Sequence, residues 1–492
     1  MRQSLIGILE RNKENTMRKT KIICTMGPAT EGIYEDMILN GMDAARFNFS
    51  HENHEVHGHR IKTMKAARTK LNQPIPLIVD TKGPEMRIGV LKNKVNLING
   101  ETIRLISEEI EGDEKAVTIS FKDLYKSVTI GQSIYIDDGR INLEVVSIEG
   151  TDIVCKIIAG GVLSSRKGVN VPGCITGLPF MTEKDRADIE FAVDQDVDFI
   201  ALSFVSNAKD VESVREIFKQ KNREDIKIIS KIENTEAIKN IDEIIAVSDS
   251  IMIARGDLGI ELPVKSVPII QKKLIKKCYT SSKPVIVATQ MLESMTDNPV
   301  PTRAEVSDVA NAIYDGTSVV MLSGETAAGK YPVETLRMMT TVILETENDI
   351  DYKVKLDEGA WKVIDQNVIN AISEVTVIAA SKIDAKAIVV PTRSGNSVRM
   401  ISSFRPACPI IAITLEEGLQ RQLNLSWGIR PMMSKFIGDQ KEFFEKVLDQ
   451  AVATNLVENG DLIILTAGIP TGYDGKTNML KMHKVGDEVI GG

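Results

Sequence analysis

Lys231 and Glu233 stand two residues apart, and Asp257 closes the next short apolar run. In an extended chain, residues i and i+2 share a face. An ammonium and a carboxylate on one face, with a second carboxylate on the adjacent run, suit a divalent cation. Two carboxylates that leave the other positions to water and substrate oxygens are the pattern of Mg2+ or Mn2+. Arg46, Asn48 and Ser50 alternate in the same way, with Phe47 and Phe49 facing the opposite side. A guanidinium, an amide and a hydroxyl together fit an oxyanion and a hard cation. Asp80-Thr81-Lys82-Gly83-Pro84, with Arg87 just beyond, ends a further run, as do Thr289 and Ser323-Gly324-Glu325-Thr326. Apart from His51, these ends carry no histidine or cysteine, so nucleophilic Cys–His or Ser–His catalysis is not indicated. Phosphoryl transfer fits the inventory, because it needs cations around the transferring group and little covalent help.

The elements that must carry these ends follow a rhythm of short apolar run, polar or glycine-bearing end, and helical stretch. The runs are Lys21–Thr25, Asp43–Phe49, Pro76–Thr81, Phe199–Phe204, Ile226–Ile232, Ser250–Ala254, Pro284–Thr289 and Ser318–Leu322. Short, nearly continuous apolar runs are expected of parallel strands buried on both faces. Thr302 with Glu305 three residues on is a capping box, and Asp315-Gly316 stops the helix it opens. Eight such units without a Gly-rich dinucleotide turn predict an α/β fold of the (β/α)8 TIM-barrel class; a doubly wound sheet is the rival. Between the third and fourth runs the pattern changes. Leu91–Leu97, Thr102–Ile106, Ser133–Ile136, Ile141–Val146 and Ile153–Ile158 read as strands, with a hairpin turn at Asp138-Gly139. This predicts an all-β domain inserted in a barrel loop, above the face where barrel active sites lie. Ala387–Pro391, Ile410–Thr414, Asp461–Thr466 and Leu480–Val485 predict a separate C-terminal α/β domain. The expected division is an N-terminal extension at 1–17, with Met17 a second possible start. The barrel takes 18–87 and 174–347, the inserted β-barrel lid 88–173, and the C-terminal domain 352–492.

Composition narrows the function classes. The 60 Lys and Arg against 68 Asp and Glu give a net charge of −8. That balance argues against sequence-independent nucleic-acid binding, which needs a basic footprint. The longest apolar runs are strand-sized, far short of the roughly 20 residues of a membrane helix. Five scattered cysteines without a C-x-x-C pair argue against a disulfide framework or a zinc site and for a cytoplasmic location.

Six segments carry a family resemblance: Asn48-Phe49-Ser50-His51, Asp80-Thr81-Lys82-Gly83-Pro84-Glu85, Ser230-Lys231-Ile232-Glu233-Asn234, Ala254-Arg255-Gly256-Asp257-Leu258-Gly259, Ala288-Thr289-Gln290-Met291 and Met321-Leu322-Ser323-Gly324-Glu325-Thr326. In this order, each at a strand end, they resemble the pyruvate kinases, from about Arg18 to the C-terminus. The resemblance implies that phosphoenolpyruvate, ADP and a proton give pyruvate and ATP, the last step of glycolysis. It implies Mg2+ on Glu233 and Asp257, and the substrate carboxylate at the N–H groups of Gly256 and Asp257 beside Thr289. Lys231 would bridge the transferring phosphoryl and the enolate oxygen, and Arg46 would grip the phosphate. Asn48, Ser50, Asp80 and the Thr81 carbonyl resemble a K+ site, and Glu85 is the residue type that accompanies K+ dependence. Asn48, Phe49, Ser50 and His51, with Arg87 and Lys167 of the inserted domain, resemble nucleotide contacts. Thr289, Ser323 and water would relay the proton. Thr392-Arg393-Ser394-Gly395-Asn396-Ser397 resembles an effector-phosphate cradle. Residues 468–477 lack the tryptophan and arginine of members that respond to fructose 1,6-bisphosphate, so a sugar phosphate and AMP both remain open as effectors. A homotetramer is implied.

Other functions are weighed against this. His51, His54, His57 and His59 do not share one helical face, so a zinc cluster is not expected. Asp137-Asp138 reads as turn chemistry, and Ser394–Ser397 could simply cap a helix. Mg2+-dependent aldolases and lyases of enolpyruvate chemistry also place an enolate on two carboxylates, but lack the inserted domain. A metabolite-sensing or RNA-binding scaffold is disfavoured by the acidic balance and the intact set of strand-end charges.

Overall fold

The computed structural model describes residues 17–174, 179–359, 367–434, 440–469 and 477–488. The 1–16 extension and residues 470–476 of the 468–477 stretch lie outside them. The eight apolar runs form β1 (Lys21–Thr25), β2 (Ala44–Asn48), β3 (Leu77–Asp80), β4 (Phe199–Leu202), β5 (Lys227–Ile232), β6 (Ser250–Ala254), β7 (Val285–Ala288) and β8 (Val319–Leu322). They close in sequence order into a barrel, each strand parallel to its neighbours and β8 pairing with β1.

Alternation along the strands divides the barrel into two cores. Ile22, Phe47, Val79, Leu202 and Ile253 face outward to the helices. Ile23, Ala44, Ile78, Ala201, Ile229 and Met321 fill the interior. The same two-residue period carries the inward side upward to Thr25, Arg46, Asp80, Ser203, Lys231 and Ser323. Chemistry therefore collects at one end of a packed apolar column. Between strands, the Arg303–Tyr314 helix opens on the expected capping box: Thr302 Oγ1 accepts from the Glu305 N–H, and the Glu305 carboxylate accepts from the Thr302 N–H.

The interval between β3 and β4 folds as a seven-stranded sheet and a two-stranded one around its own core of Ile103, Leu105, Leu143 and Cys155. Only Val95–Leu97 of the expected Leu91–Leu97 strand is extended; Leu91 makes an isolated bridge to Gly112. The other four expected strands are present, and Ile141–Glu149 runs three residues longer than its apolar pattern. Met86–Arg87, Ala116–Thr118, Gly161–Leu163 and Gly168–Asn170 are further strands, too short to show a period. Asp137 and Asp138, both at φ 55°, and Gly139, at φ 81°, make the hairpin turn.

The C-terminal sheet comprises β9 (Ala387–Pro391), β10 (Ile410–Thr414), β11 (Ile429–Met433), β12 (Leu462–Ala467) and β13 (Met479–Lys484), in the order β11-β10-β9-β12-β13. Strand β11 was not expected, because Pro431 interrupts its apolar pattern. As the edge strand it tolerates the missing N–H. Among the described residues no helix is long and apolar enough to cross a membrane.

Candidate active site

The Lys231 ammonium has three protons and meets three acceptors: Ser203 Oγ at 2.7 Å, Glu233 Oε1 at 2.8 Å and Asp80 Oδ1 at 3.1 Å. These groups come from the ends of β5, β4 and β3, which are neighbours in the barrel. Burial works against the lysine charge, but Asp80 and Glu233 outweigh it and hold its pKa above the ordinary value. Asp80 is fully buried. Burial alone would raise its pKa, yet Lys231 and Arg46 hold it below the usual range. Arg46 Nε donates to Asp80 Oδ2 at 2.8 Å and its Nη1 to Thr25 Oγ1 at 2.9 Å, so the guanidinium is fixed from two strands.

Glu233 Oε2 accepts from the Phe204 N–H at 2.6 Å. Burial pushes the Glu233 and Asp257 carboxyls upward, and Lys231 acts against this. Their combined negative charge exceeds what one lysine offsets in a buried setting. That is the electrostatic demand a divalent cation meets, and two carboxylates on adjacent strand ends fit Mg2+ or Mn2+. Asp138 of the inserted domain also raises the Asp257 carboxyl.

At the end of β7, Thr289 and Gln290 lie at φ 66° and 53°. A β-branched residue rarely adopts this conformation, and such strain collects at functional sites. Thr289 Oγ1 accepts from the Gly256 N–H at 2.8 Å and donates to the Ala288 carbonyl at 2.6 Å. Arg255 braces the turn, donating to the Thr289 carbonyl at 2.7 Å. At the end of β8 the Ser323 N–H donates to Glu325 Oε2 at 2.6 Å, while the buried Ser323 Oγ has no protein partner. A buried hydroxyl left this way is available to substrate or water.

Asn48 pairs in register with Asp80, and Asn48 Oδ1 accepts from the Ser50 N–H at 3.1 Å. The Thr81 carbonyl accepts from Ser203 Oγ at 2.6 Å. This group of oxygens suits a hard cation. The Phe49 ring is buried and stacks on His57 with centroids 4.3 Å apart, so only its backbone faces the rim. His57 Nε2–H donates to the His51 carbonyl at 2.8 Å, and His54 Nε2 lies 2.7 Å from Asp188 Oδ1. The imidazoles thus have separate partners.

The two cations expected as nucleotide contacts, Arg87 and Lys167, are both ion-paired. Arg87 is bound to Glu85 Oε2, through Nε at 2.9 Å and Nη2 at 2.5 Å, and to the Arg166 carbonyl at 2.7 Å. Among the described residues its side-chain hydrogen bonds reach Glu85 and Arg166, whereas Arg46, Lys231 and Glu233 are joined directly or through Asp80. Lys167 pairs with Asp137 at 2.7 Å. In the C-terminal domain, Gly395 at φ 80° opens the Asn396–Ser403 helix, and its N–H donates to Thr392 Oγ1 at 2.9 Å. Asn396 N–H points to Ser394 Oγ at 3.5 Å, and Ser397 Oγ meets Thr477 Oγ1.

Ser203 went unread in the sequence, because uncharged β4 ends drew no attention. The alternation that placed Arg46 inside also places Ser203 inside. Glu325 lay within a quoted motif without a role; it ties Ser323 to the Leu292 N–H at 3.2 Å.

Two family models match: "Pyruvate kinase, barrel domain" over residues 17–336 and "Pyruvate kinase, alpha/beta domain" over residues 370–483. The chain is 46% identical over 475 residues to a pyruvate kinase of Clostridium acetobutylicum, covering 95% of this chain and 100% of the relative. It is 44% identical over 475 residues to one of Geobacillus stearothermophilus, covering 96% and 81%. A crystal structure of a pyruvate kinase from Cryptosporidium parvum superposes with a TM-score of 0.90 at 38% identity, covering 95% of this chain and 96% of the other. With the barrel and the charged rim already in place, these matches show that the chain belongs to the pyruvate kinase family, the glycolytic phosphotransferases that use a divalent metal ion and K+.

Proposed function

We propose that phosphoenolpyruvate meets ADP on this rim, with Lys231 between the transferring phosphoryl group and the enolate oxygen. One observation carries the assignment: the buried, protonated Lys231 ammonium is aimed by three partners on neighbouring strand ends. A fixed positive charge placed where negative charge develops lowers the barrier without reorganisation. Arg46, set by Asp80 and Thr25, grips the phosphate. Glu233 and Asp257 hold Mg2+ or Mn2+; when bound, the cation supplies further positive charge to the substrate oxygens. The substrate carboxylate docks at the Gly256 and Asp257 N–H groups. Because the Gly256 N–H rests on Thr289 Oγ1, the threonine must share or yield that donor.

Asn48, Ser50, Asp80 and the Thr81 carbonyl serve K+. The Asn48–His51 strand end, with Arg87 and Lys167, serves the nucleotide phosphates, the two lid cations exchanging Glu85 and Asp137 for phosphate oxygens. The proton reaches the enolate carbon by way of Thr289, Ser323 and water. Phosphoenolpyruvate, ADP and one proton thus become pyruvate and ATP. Residues 392–397 take the phosphate of a sugar phosphate or of AMP, and 352–492 form a regulatory domain in a cytoplasmic homotetramer. The barrel takes 18–87 and 174–347 and the lid 88–173, although Met86–Arg87 pairs into the lid's seven-stranded sheet.

A coupled assay of ATP formation, with and without K+, tests the reading. Lys231→Ala should abolish turnover while the thermal transition remains cooperative; near-normal turnover in that variant contradicts it.

A further inference from the structure

The interior cluster of the barrel has twelve members among the described residues, and eleven come from its strands. The twelfth is Leu425, from the C-terminal domain, buried at 1% exposure. Its segment closes the mouth of the barrel opposite the active site. Asn424 Nδ2 donates to the Asp43 carbonyl at 2.9 Å and Gln422 Nε2 to the Asp225 carbonyl at 2.8 Å. Arg421 Nε meets Asp198 Oδ1 at 2.6 Å, and Lys21 Nζ donates to the Ile429 carbonyl at 2.9 Å. Those barrel residues open, or lie within two residues before, β2, β5, β4 and β1. The same four strands carry Arg46, Lys231, Ser203 and Thr25.

Above Leu425 stand Ile23, Ala44, Ile78, Ala201, Ile229 and Met321. Each lies two residues, roughly 6.6 Å along its strand, below one of Thr25, Arg46, Asp80, Ser203, Lys231 and Ser323. The catalytic layer therefore sits on an apolar layer whose floor is shared by Phe199 and Val319, at the start of β4 and β8, and by Leu425 of another domain. Interiors packed to crystal density pass displacement on rather than absorb it. A cavity opened at the floor lets the layer above settle only in part.

We propose that Leu425 is a positioning residue for phosphoryl transfer: from the C-terminal domain, it sets the height and spacing of the Arg46, Asp80, Ser203 and Lys231 layer through the column between them. The proposal rests on the reading of Lys231 as the charge that assists transfer. It assigns Leu425 no contact with substrate.

The test compares kcat, KM for phosphoenolpyruvate and melting temperature in the full-length protein for four variants. Leu425→Ala should lower kcat by about tenfold or more, since sub-ångström to ångström misplacement of a reacting group costs rate steeply, with a smaller change in KM. Leu425→Met, which refills the floor, should restore kcat to within about twofold. Leu465→Ala cuts a fully buried side chain from the far core of the C-terminal sheet and should lower the melting temperature while leaving kcat near wild type. Lys231→Ala should be inactive. Wild-type kcat in Leu425→Ala, or an equal kcat loss in Leu465→Ala at matched melting temperature, overturns the positioning role. Turnover retained in Lys231→Ala overturns instead the catalytic reading beneath it. Should Leu425→Ala fail to fold, Leu425→Val carries the same comparison.

Discussion

Ser203→Ala removes one leg of the Lys231 tripod together with the hydroxyl's own hydrogen bond to the Thr81 carbonyl. The hydroxyl accepts from Lys231 Nζ at 2.7 Å and donates to the Thr81 carbonyl at 2.6 Å. Alanine leaves the lysine with Glu233 at 2.8 Å and Asp80 at 3.1 Å, so one ammonium N–H loses its acceptor at a site with little access to water. A hydrogen bond to a charged group is worth about 1.5–3 kcal/mol. At roughly 1.4 kcal/mol per decade, that corresponds to about a 10- to 150-fold loss if the ammonium must hold its aim in the transition state. The loss should appear in kcat more than in KM, because the tripod aims a charge rather than building a binding surface. Steady-state assays over phosphoenolpyruvate concentration, at saturating ADP, Mg2+ and K+, read both constants. Ser203→Thr keeps the acceptor and should recover much of the rate. A Ser203→Ala enzyme within about twofold of wild type in kcat, beside an inactive Lys231→Ala, refutes the reasoning that the tripod aims the charge.

Other perturbations have equally direct readouts. Glu261, the last residue of the Arg255–Glu261 helix, has its carboxyl pushed up to about 7 by burial, against a hydrogen bond from the N–H of Gly173, where the chain returns from the inserted domain. A carboxyl whose folded pKa is raised costs nothing below its unfolded value, and its cost grows as pH rises toward the folded value. Glu261→Gln should therefore stabilise the protein by about 3 kcal/mol at pH 8 and under about 1 kcal/mol at pH 5; equal gains in urea unfolding at both pH values would exclude this account. Since burial raises the Glu233 and Asp257 carboxyls, Mg2+ binding competes with protons at this pair. Thermal-shift titrations should show weaker Mg2+ binding at pH 6 than at pH 8, with a flatter dependence in Asp257→Asn. A Cβ on Gly395 would lie 2.9 Å from Arg399 Nη1, at a backbone φ of 80°. Gly395→Ala should abolish activation by fructose 1,6-bisphosphate, glucose 6-phosphate or AMP at subsaturating phosphoenolpyruvate and spare basal turnover; an unaltered response counts against the cradle.

Most of the barrel was legible because its strands are covered on both faces, which leaves a continuous apolar run as their signature. Runs such as Ser250–Ala254 map onto strands residue for residue. The rim was legible for a related reason. Period-two alternation decides which strand-end residues enter the barrel, and charged groups stand out once that face is known. Short lid strands such as Gly168–Asn170 span fewer residues than one alternation cycle needs, and Pro431 disguised an edge strand. Neither could be read from periodicity.

What sequence could not convey was how ionic partners are shared. Arg87 and Lys167 are expected as nucleotide contacts, and each has a carboxylate partner close by in the chain's fold, at 2.5 Å for Glu85 and 2.7 Å for Asp137. Both pairs are at least a quarter exposed on one side, where an ion pair contributes on the order of 0–1 kcal/mol. Exchange of either carboxylate for a phosphate oxygen is therefore nearly free of penalty. The Lys231 cluster is different. Its Asp80 and Glu233 partners are almost wholly buried, and stripping one partner from such a pair costs about 3–5 kcal/mol. The molecule thus separates two kinds of cation by burial alone. Those deep in the barrel are permanently aimed, and those on the lid are lightly held, as the proposed exchange onto nucleotide phosphates requires.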